Sequence, residues 1–182
     1  MSLADCYRGG VADRGLGECM HIRAIEAKDD AVIRDIIRAG LKEHGLDVPG
    51  TAYFDPQLDS LSSFYAEDGR AYVVVCDDGG RVIGGAGYAE VPGSDGRIAE
   101  LQKLYVSSDG RGSGASYQLI AQVETGARAD GYSVLYLETH HRLQAAMHVY
   151  ERTGFSLIDG PLGDAQHTTM DRFYRKSLVA EA

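Results

Sequence analysis

Glu100-Leu101-Gln102-Lys103-Leu104-Tyr105-Val106-Ser107-Ser108-Asp109-Gly110-Arg111-Gly112-Ser113-Gly114-Ala115-Ser116 reads as a strand, a glycine-rich turn and the start of a helix. Gly110, Gly112 and Gly114 alternate along the turn, and a backbone without Cβ atoms can approach a ligand closely. The helix that follows opens with unpaired N–H groups and the positive end of its dipole. Together these suit an anion, above all a phosphate. The stretch therefore predicts a phosphate-bearing ligand held mostly by backbone.

On the N-terminal side, Ala71 to Cys76 and Val82 to Val91 are apolar runs separated by Asp77-Asp78-Gly79-Gly80, a hairpin signal. Pro92 to Gly96 is another turn, and Arg97 to Val106 is the next strand. Three strands thus form an antiparallel meander before a helix returns. Downstream, Gly112 to Ala129 reads as a helix with Leu119, Ile120 and Val123 on its buried stripe. Ser133 to Leu137 is a mostly apolar strand suited to a sheet interior. Leu143 to Arg152 is a helix ended by Gly154, Phe155 to Ile158 a strand, and Thr168 to Lys176 the last strand.

Upstream of the meander, His21 to Glu26 is a short strand. Asp29 or Asp30 caps a helix with Val32, Ile33, Ile36, Ile37 and Leu41 on one stripe, ended by Gly45. Gly45 to Asp55 is a loop, and Pro56 opens a short helix reaching Tyr65. The order predicts a mixed α/β domain, antiparallel in its first half and with parallel neighbours around the glycine turn. Residues 1–19 are Gly-rich without periodicity and read as a flexible tail, with Met1-Ser2-Leu3 a cloning scar and Met20 an alternative start. Residues 20–182 read as a single domain.

With 182 residues, 44% of them hydrophobic and 25% charged, the chain has material for one proper core. A formal net charge of −9 argues against non-specific nucleic-acid binding, which needs a basic footprint. A polyanionic ligand would have to bind through local features against that field. Cys6, Cys19 and Cys76 are odd in number and show neither a disulfide framework nor metal spacing. No signal peptide and no apolar run of membrane-spanning length is present. These features point to a reducing cytoplasm, with no membrane partner and no metal.

Three readings compete for the glycine turn. A nucleotide P-loop needs Lys followed by Ser or Thr after the last glycine, and Ala115-Ser116 stands there instead. A dinucleotide fingerprint is met formally by Gly110, Gly112 and Ala115, with Glu138 near the end of the next strand. That fingerprint normally follows the first strand of a βαβ unit, whereas this strand comes third in a meander. The third reading is a plain capped turn.

The surroundings favour a different ligand. Asp109-Gly110-Arg111-Gly112-Ser113-Gly114 resembles the Q/R-x-x-G-x-G/A turn of the GNAT superfamily of N-acetyltransferases, with Asp109 in place of Gln or Arg. Ala146-Met147-His148-Val149-Tyr150-Glu151-Arg152-Thr153-Gly154-Phe155 resembles that family's A-x-x-x-Y-x-x-x-G-F segment. Leu143 stands where an Asn often precedes it. The resemblance runs over Met20 to Lys176 in element order. It implies an acyl-coenzyme A N-acyltransferase fold, a central mixed sheet of about seven strands flanked by about four helices. It also implies acetyl-coenzyme A as cosubstrate, a small-molecule or peptide primary amine as acceptor, direct transfer in a ternary complex, and reasonably a homodimer.

The chemistry so implied needs a base for the ammonium, a donor for the oxyanion and an acid for the departing thiolate. Glu100, early in the strand before the turn, matches the position where the family often has an acidic residue and is the candidate base. Its alternative reading is an exposed strand residue without a role. Glu138 is a rival base. Apolar parity shifts along the strand: Ala99 and Leu101 are odd, Leu104 and Val106 even. One extra residue, a β-bulge, would do this. The resemblance implies such a bulge, with backbone groups of Leu104, Tyr105 and Val106 bonding the pantetheine arm. It implies that Arg111, Gly112, Ser113, Gly114, Ala115 and Ser116 hold the pyrophosphate, Arg111 by a charge-assisted bond. It gives Tyr150 as the acid; a core tyrosine packed beside Phe155 is the alternative. His140 and His141 read as surface or capping residues, though a neutral imidazole could act as a base. Glu43, His44, Tyr53, Asp55 and His167-Thr168-Thr169 are pointers to acceptor recognition. Two other functions stay open: a nicotinamide-dependent oxidoreductase using the same turn, and a non-catalytic coenzyme A-binding sensor.

Overall fold

The structure, a computed structural model, describes residues 20–94, 96–163 and 169–179. The expected tail at 1–19, and His167 and Thr168, lie outside the described residues. Seven strands, β1 (His21–Ala24), β2 (Ala71–Cys76), β3 (Val82–Glu90), β4 (Ile98–Val106), β5 (Val134–Thr139), β6 (Ser156–Ile158) and β7 (Arg172–Ser177), form one sheet in the order β1-β2-β3-β4-β5-β7-β6. The helices are α1 (Asp30–Glu43), α2 (Leu61–Phe64), α3 (Ala115–Ala129) and α4 (Gln144–Arg152). The first four strands pair antiparallel and β4 pairs parallel with β5. The element order predicts this mixed sheet, and the family resemblance implies its seven strands and four helices.

Alternation along the strands divides the core into two layers. Ala86, Leu101, Leu135 and Leu137 pack with Leu119, Ile120 and Val123 of α3 on one side. Tyr72, Val74 and Cys76 pack with Ile33, Ile37 and Leu41 of α1 on the other. Cys76 is buried, as its apolar strand suggests.

Several boundaries differ from expectation by a few residues, four of them near the ends of α1, α2, α3 and β7. Asp29 does not cap α1 through its side chain; its carboxylate takes hydrogen bonds from Arg23 at 2.6 and 2.9 Å and from the Glu26 N–H at 2.9 Å. The helix expected from Pro56 to Tyr65 divides into a 3-10 segment, Pro56–Ser60, and α2. Helix α3 begins at Ala115 rather than Gly112, because Gly112 and Gly114 have φ of +78° and +85°, left-handed values that no α-helix interior contains. The last strand, expected from Thr168, begins at Arg172 among the described residues.

Two irregularities create the cleft. Strands β4 and β5 are paired only from Ile98 to Glu100 against Val134 to Tyr136, although β4 runs on to Val106 and β5 to Thr139. Beyond Glu100 the two strands therefore diverge. On its other edge β4 carries the expected bulge: Gly85 faces Tyr105 but Gly87 faces Gln102, so Lys103 and Leu104 together stand opposite Ala86. Lys103 takes the left-handed conformation there, with φ +51°. Such a conformation costs about 1–3 kcal/mol for a residue other than glycine and persists only where its surroundings enforce it.

Candidate active site

Between the diverging strands lies a cavity of about 480 Å³, bounded by α1, the glycine turn, β4, β5 and α4. Glu100, Leu104, Tyr105, Val106, Arg111, Gly112, Gly114, Ala115, Ser116 and Tyr150 all line it. Of the residues singled out for catalysis or cofactor binding, Ser113 alone does not. Its hydroxyl donates to the Gly110 carbonyl at 2.7 Å and accepts from the Ala115 N–H at 3.3 Å, so it shapes the turn from within.

The three glycines of the turn are not equivalent. A Cβ on Gly110 would lie 2.9 Å from Val106 Cγ1, so this glycine is required by close packing. Gly112 and Gly114 have open space where a Cβ would stand, and their positive φ is what demands glycine. The N–H groups of Gly112, Gly114 and Ser116 find no backbone acceptor among the described residues. They lie at the mouth of α3, where its dipole is positive. Arg111 stands beside them and forms a bidentate pair with Glu43 at the end of α1, one arm at 2.8 Å. That guanidinium holds the Glu43 carboxyl below the usual carboxylate range. Asp109, the position that departs from the expected pattern, accepts from Arg81 at 3.1 Å and does not line the cavity.

The middle of the cleft is built by glycines of another kind. Cβ atoms on Gly85 and Gly87 would come within 2.5 and 2.6 Å of the Tyr72 ring. Their absence lets Tyr72 lie across β3 and donate its hydroxyl to the Lys103 carbonyl at 2.9 Å. The Lys103 side chain is only 3% exposed, and its Nζ sits 2.7 Å from Asp55 Oδ2.

Glu100 and Glu138 both line the cavity. Glu100 stands opposite Tyr136 in the parallel ladder, and Glu138 is two residues further on, so both project from one face of the sheet. Glu100 accepts from Gln102 Nε2 at 2.7 Å, and Gln102 Oε1 in turn accepts from the Tyr65 hydroxyl at 2.8 Å. Glu138 accepts from the Tyr136 hydroxyl at 2.9 Å. Both carboxylates are thus oriented by neighbours that the sequence does not flag.

Tyr150 belongs both to the core and to the wall of the cleft. Its ring packs 6.0 Å from those of Phe155 and Tyr174 in the core, and the residue also lines the cleft. Burial pushes its phenol well above the ordinary tyrosine range. No partner for its hydroxyl is found among the described residues. At the head of α4, Leu143 offers no side-chain cap; the His140 ring instead accepts the Arg142 N–H at 3.1 Å. Burial pushes the His140 imidazole down, favouring the neutral form that this bond needs. His141 pairs with Asp171 at 2.6 Å, and the ligand atoms of His140, His141 and Asp171 lie within 4.8 Å of one another. Sequence spacing does not reveal this group, because Asp171 comes from the segment before β7.

Among the acceptor pointers, His44 lines the cavity, with Nδ1 2.9 Å from the Gly40 carbonyl. Tyr53 packs under Arg38, 5.6 Å from ring centre to guanidinium. Thr169 Oγ1 donates to the Pro49 carbonyl at 2.9 Å. Met170 lines the cleft and is missed by sequence reasoning.

A mixed sheet that splays between two parallel strands, with a bulge on one and a phosphate-suited turn after it, defines the fold class of acyl-coenzyme A acyltransferases. The chain belongs to the acetyltransferase (GNAT) family, whose sequence model matches residues 38–155. It is similar to the uncharacterized N-acetyltransferase YjgM of Escherichia coli K12, 38% identical over 147 residues, 80% of this chain and 87% of that one. Its fold is that of a GNAT-family acetyltransferase from Staphylococcus aureus Mu50, with a TM-score of 0.78 at 18% identity over 88% of this chain and 100% of the other. The Salmonella typhimurium protein yncA, solved with its cofactor acetyl-CoA, shares the fold with a TM-score of 0.70 at 21% identity over 90% of this chain and 96% of that one. Membership of this family displaces the oxidoreductase reading of the turn. Among the described residues no helix is long and apolar enough to cross a membrane.

Proposed function

We propose that this protein moves an acetyl group from acetyl-coenzyme A to a primary amine, by direct attack within a ternary complex. One observation carries the reading. Along a single continuous cleft stand a backbone anion site, a strand edge released from its ladder, a carboxylate pair and a buried tyrosine. The pyrophosphate sits against the N–H groups of Gly112, Gly114 and Ser116, with Arg111 beside it. The pantetheine arm and acetyl carbonyl follow β4, where backbone groups of Leu104 to Val106 face the gap left by β5.

Glu100 takes the proton from the incoming ammonium, directly or through water, and Gln102 holds the carboxylate for that task. The freed amine nitrogen attacks the thioester carbonyl carbon. The oxyanion forms against the β4 backbone. The C–S bond then breaks as Tyr150, kept protonated by burial, gives its proton to the sulfur, and the second proton that the attacking nitrogen sheds as the amide forms returns through water to the tyrosine oxygen. Glu138, on the same face, is the alternative base.

The test is release of free thiol from acetyl-coenzyme A with a panel of amines spanning amino acids, polyamines, aminoglycosides and peptide N-termini. Release with at least one amine, reduced in Glu100→Gln, supports the reading. Binding of the cofactor with no release for any amine would make the protein a coenzyme A sensor instead.

A further inference from the structure

The β4 bulge carries a residue that its backbone does not favour. Among the described residues Lys103 is the one non-glycine residue with positive φ, at a position where glycine or asparagine would be relaxed. Its charge is buried and paired with Asp55, which lies between the 3-10 segments Ala52–Phe54 and Pro56–Ser60. That segment joins α1 to α2 and reaches the cavity at Ala52. A buried ammonium stripped of its partner is strongly unfavourable, so Lys103 must keep company with Asp55. From the opposite direction Tyr72 grips the Lys103 carbonyl. Side chain and backbone of one residue are thereby fixed from two elements, and the residues that follow it, Leu104 to Val106, line the cleft.

We propose that Asp55 and Lys103 form a positioning pair: through it the segment between α1 and α2 sets the shape of the bulge, and so the aim of the Leu104–Val106 backbone groups at the acetyl carbonyl. Neither side chain touches reacting atoms. Both act through the backbone of β4. The proposal rests on reading the cleft as an acetyl-coenzyme A site. It adds a link from the acceptor side of the cleft to the donor side, which a lysine at a bulge would otherwise not require.

The experiment is carbon-13 NMR of acetyl-coenzyme A labelled at the carbonyl, bound to the full chain. A carbonyl polarised by hydrogen bonds resonates downfield of the free thioester. That displacement is expected in the wild type and in Lys103→Arg, which keeps the charge. It is expected to vanish in Asp55→Asn, with affinity for coenzyme A itself unchanged. Since Asp55→Asn leaves a buried charge and could fail to fold, the double variant Lys103→Met/Asp55→Leu removes both charges and should melt close to the wild type. It too should lose the displacement, an effect that a merely structural pair would not produce. An equal displacement in the folded double variant would overturn the proposal, as would a bound but undisplaced signal in the wild type. No bound signal in the wild type would overturn the cofactor reading as well, and a coenzyme A melting titration separates that case.

Discussion

The two ends of the cleft are built on different principles. The end at the glycine turn, proposed to hold the pyrophosphate, is backbone: Gly112 and Gly114 bend it, the positive end of the α3 dipole lies beside it, and its groups fall within a few residues of one another. The other end, proposed to receive the acceptor, is side chain: Tyr65 reaches Gln102, Tyr72 reaches Lys103 and Lys103 reaches Asp55, contacts separated by 37, 31 and about 48 residues. A backbone site is specified by local conformation, so its substitutions act through geometry. A side-chain site is specified by tertiary contact, so its substitutions act through protonation and aim. The same cleft therefore combines an end set by local backbone geometry with an end set by tertiary side-chain contacts.

Substitutions can break that contrast, and the largest effect is expected at the chemical end. Glu100→Gln should lower turnover about 10²- to 10⁴-fold near neutral pH, the usual scale for a lost general base. The deficit should shrink at alkaline pH, where more of the amine is already deprotonated; steady-state rates between pH 6 and 10 measure it. A pH–rate profile unchanged from the wild type would move the role to Glu138 or to water. Next, Tyr150→Phe should slow turnover about tenfold or more while leaving the dissociation constant of coenzyme A nearly intact. Because burial raises this phenol, the acid remains protonated through neutral pH. Any loss of rate from its ionisation should therefore lie above about pH 10, the unperturbed tyrosine value. Full activity in the phenylalanine variant would return Tyr150 to a packing role.

At the binding end the order of effects should reverse. Gly114→Val forces a β-branched residue into φ +85° and should cost about 1–3 kcal/mol of stability or local distortion. Calorimetric titration should show weaker coenzyme A binding, with turnover of the bound complex little changed. The smallest effect belongs to the Arg111–Glu43 pair, both half-exposed and screened by solvent. Glu43→Gln frees the guanidinium and removes a nearby negative charge. It should tighten coenzyme A binding by only a few-fold, and less at high salt. A large effect here would mean that the phosphate end depends on side chains after all.

The same contrast explains what the sequence reveals. The meander is legible because Asp77-Asp78-Gly79-Gly80 separates two apolar runs, and these are β2 and β3. The bulge is legible because the parity of apolar residues changes between Leu101 and Leu104. The turn is legible because glycines are conspicuous. The start of α3 is placed three residues early because sequence pattern does not distinguish a left-handed glycine from a helical one. Gln102, Tyr65 and Tyr72 are invisible for a stronger reason. Their roles exist only once β2, β3 and β4 lie side by side, and Gly85 and Gly87 look like weak strand residues until the Tyr72 ring is laid over them. Asp109 fits the family pattern poorly in sequence, and in the fold it turns to Arg81, away from the cleft.

If the cleft between β4 and β5 is an acetyl-coenzyme A site, the melting temperature of the protein must depend on acetyl-coenzyme A concentration. A ligand that binds only the folded chain adds RT ln(1 + [L]/Kd) to its stability, about 2.7 kcal/mol at a hundredfold excess over Kd. The melting temperature should climb steadily with the logarithm of acetyl-coenzyme A concentration, and NAD at equal concentration should leave it unmoved. A flat response to acetyl-coenzyme A at millimolar concentration, or an equal response to NAD, would mean that the cleft is not an acetyl-coenzyme A site.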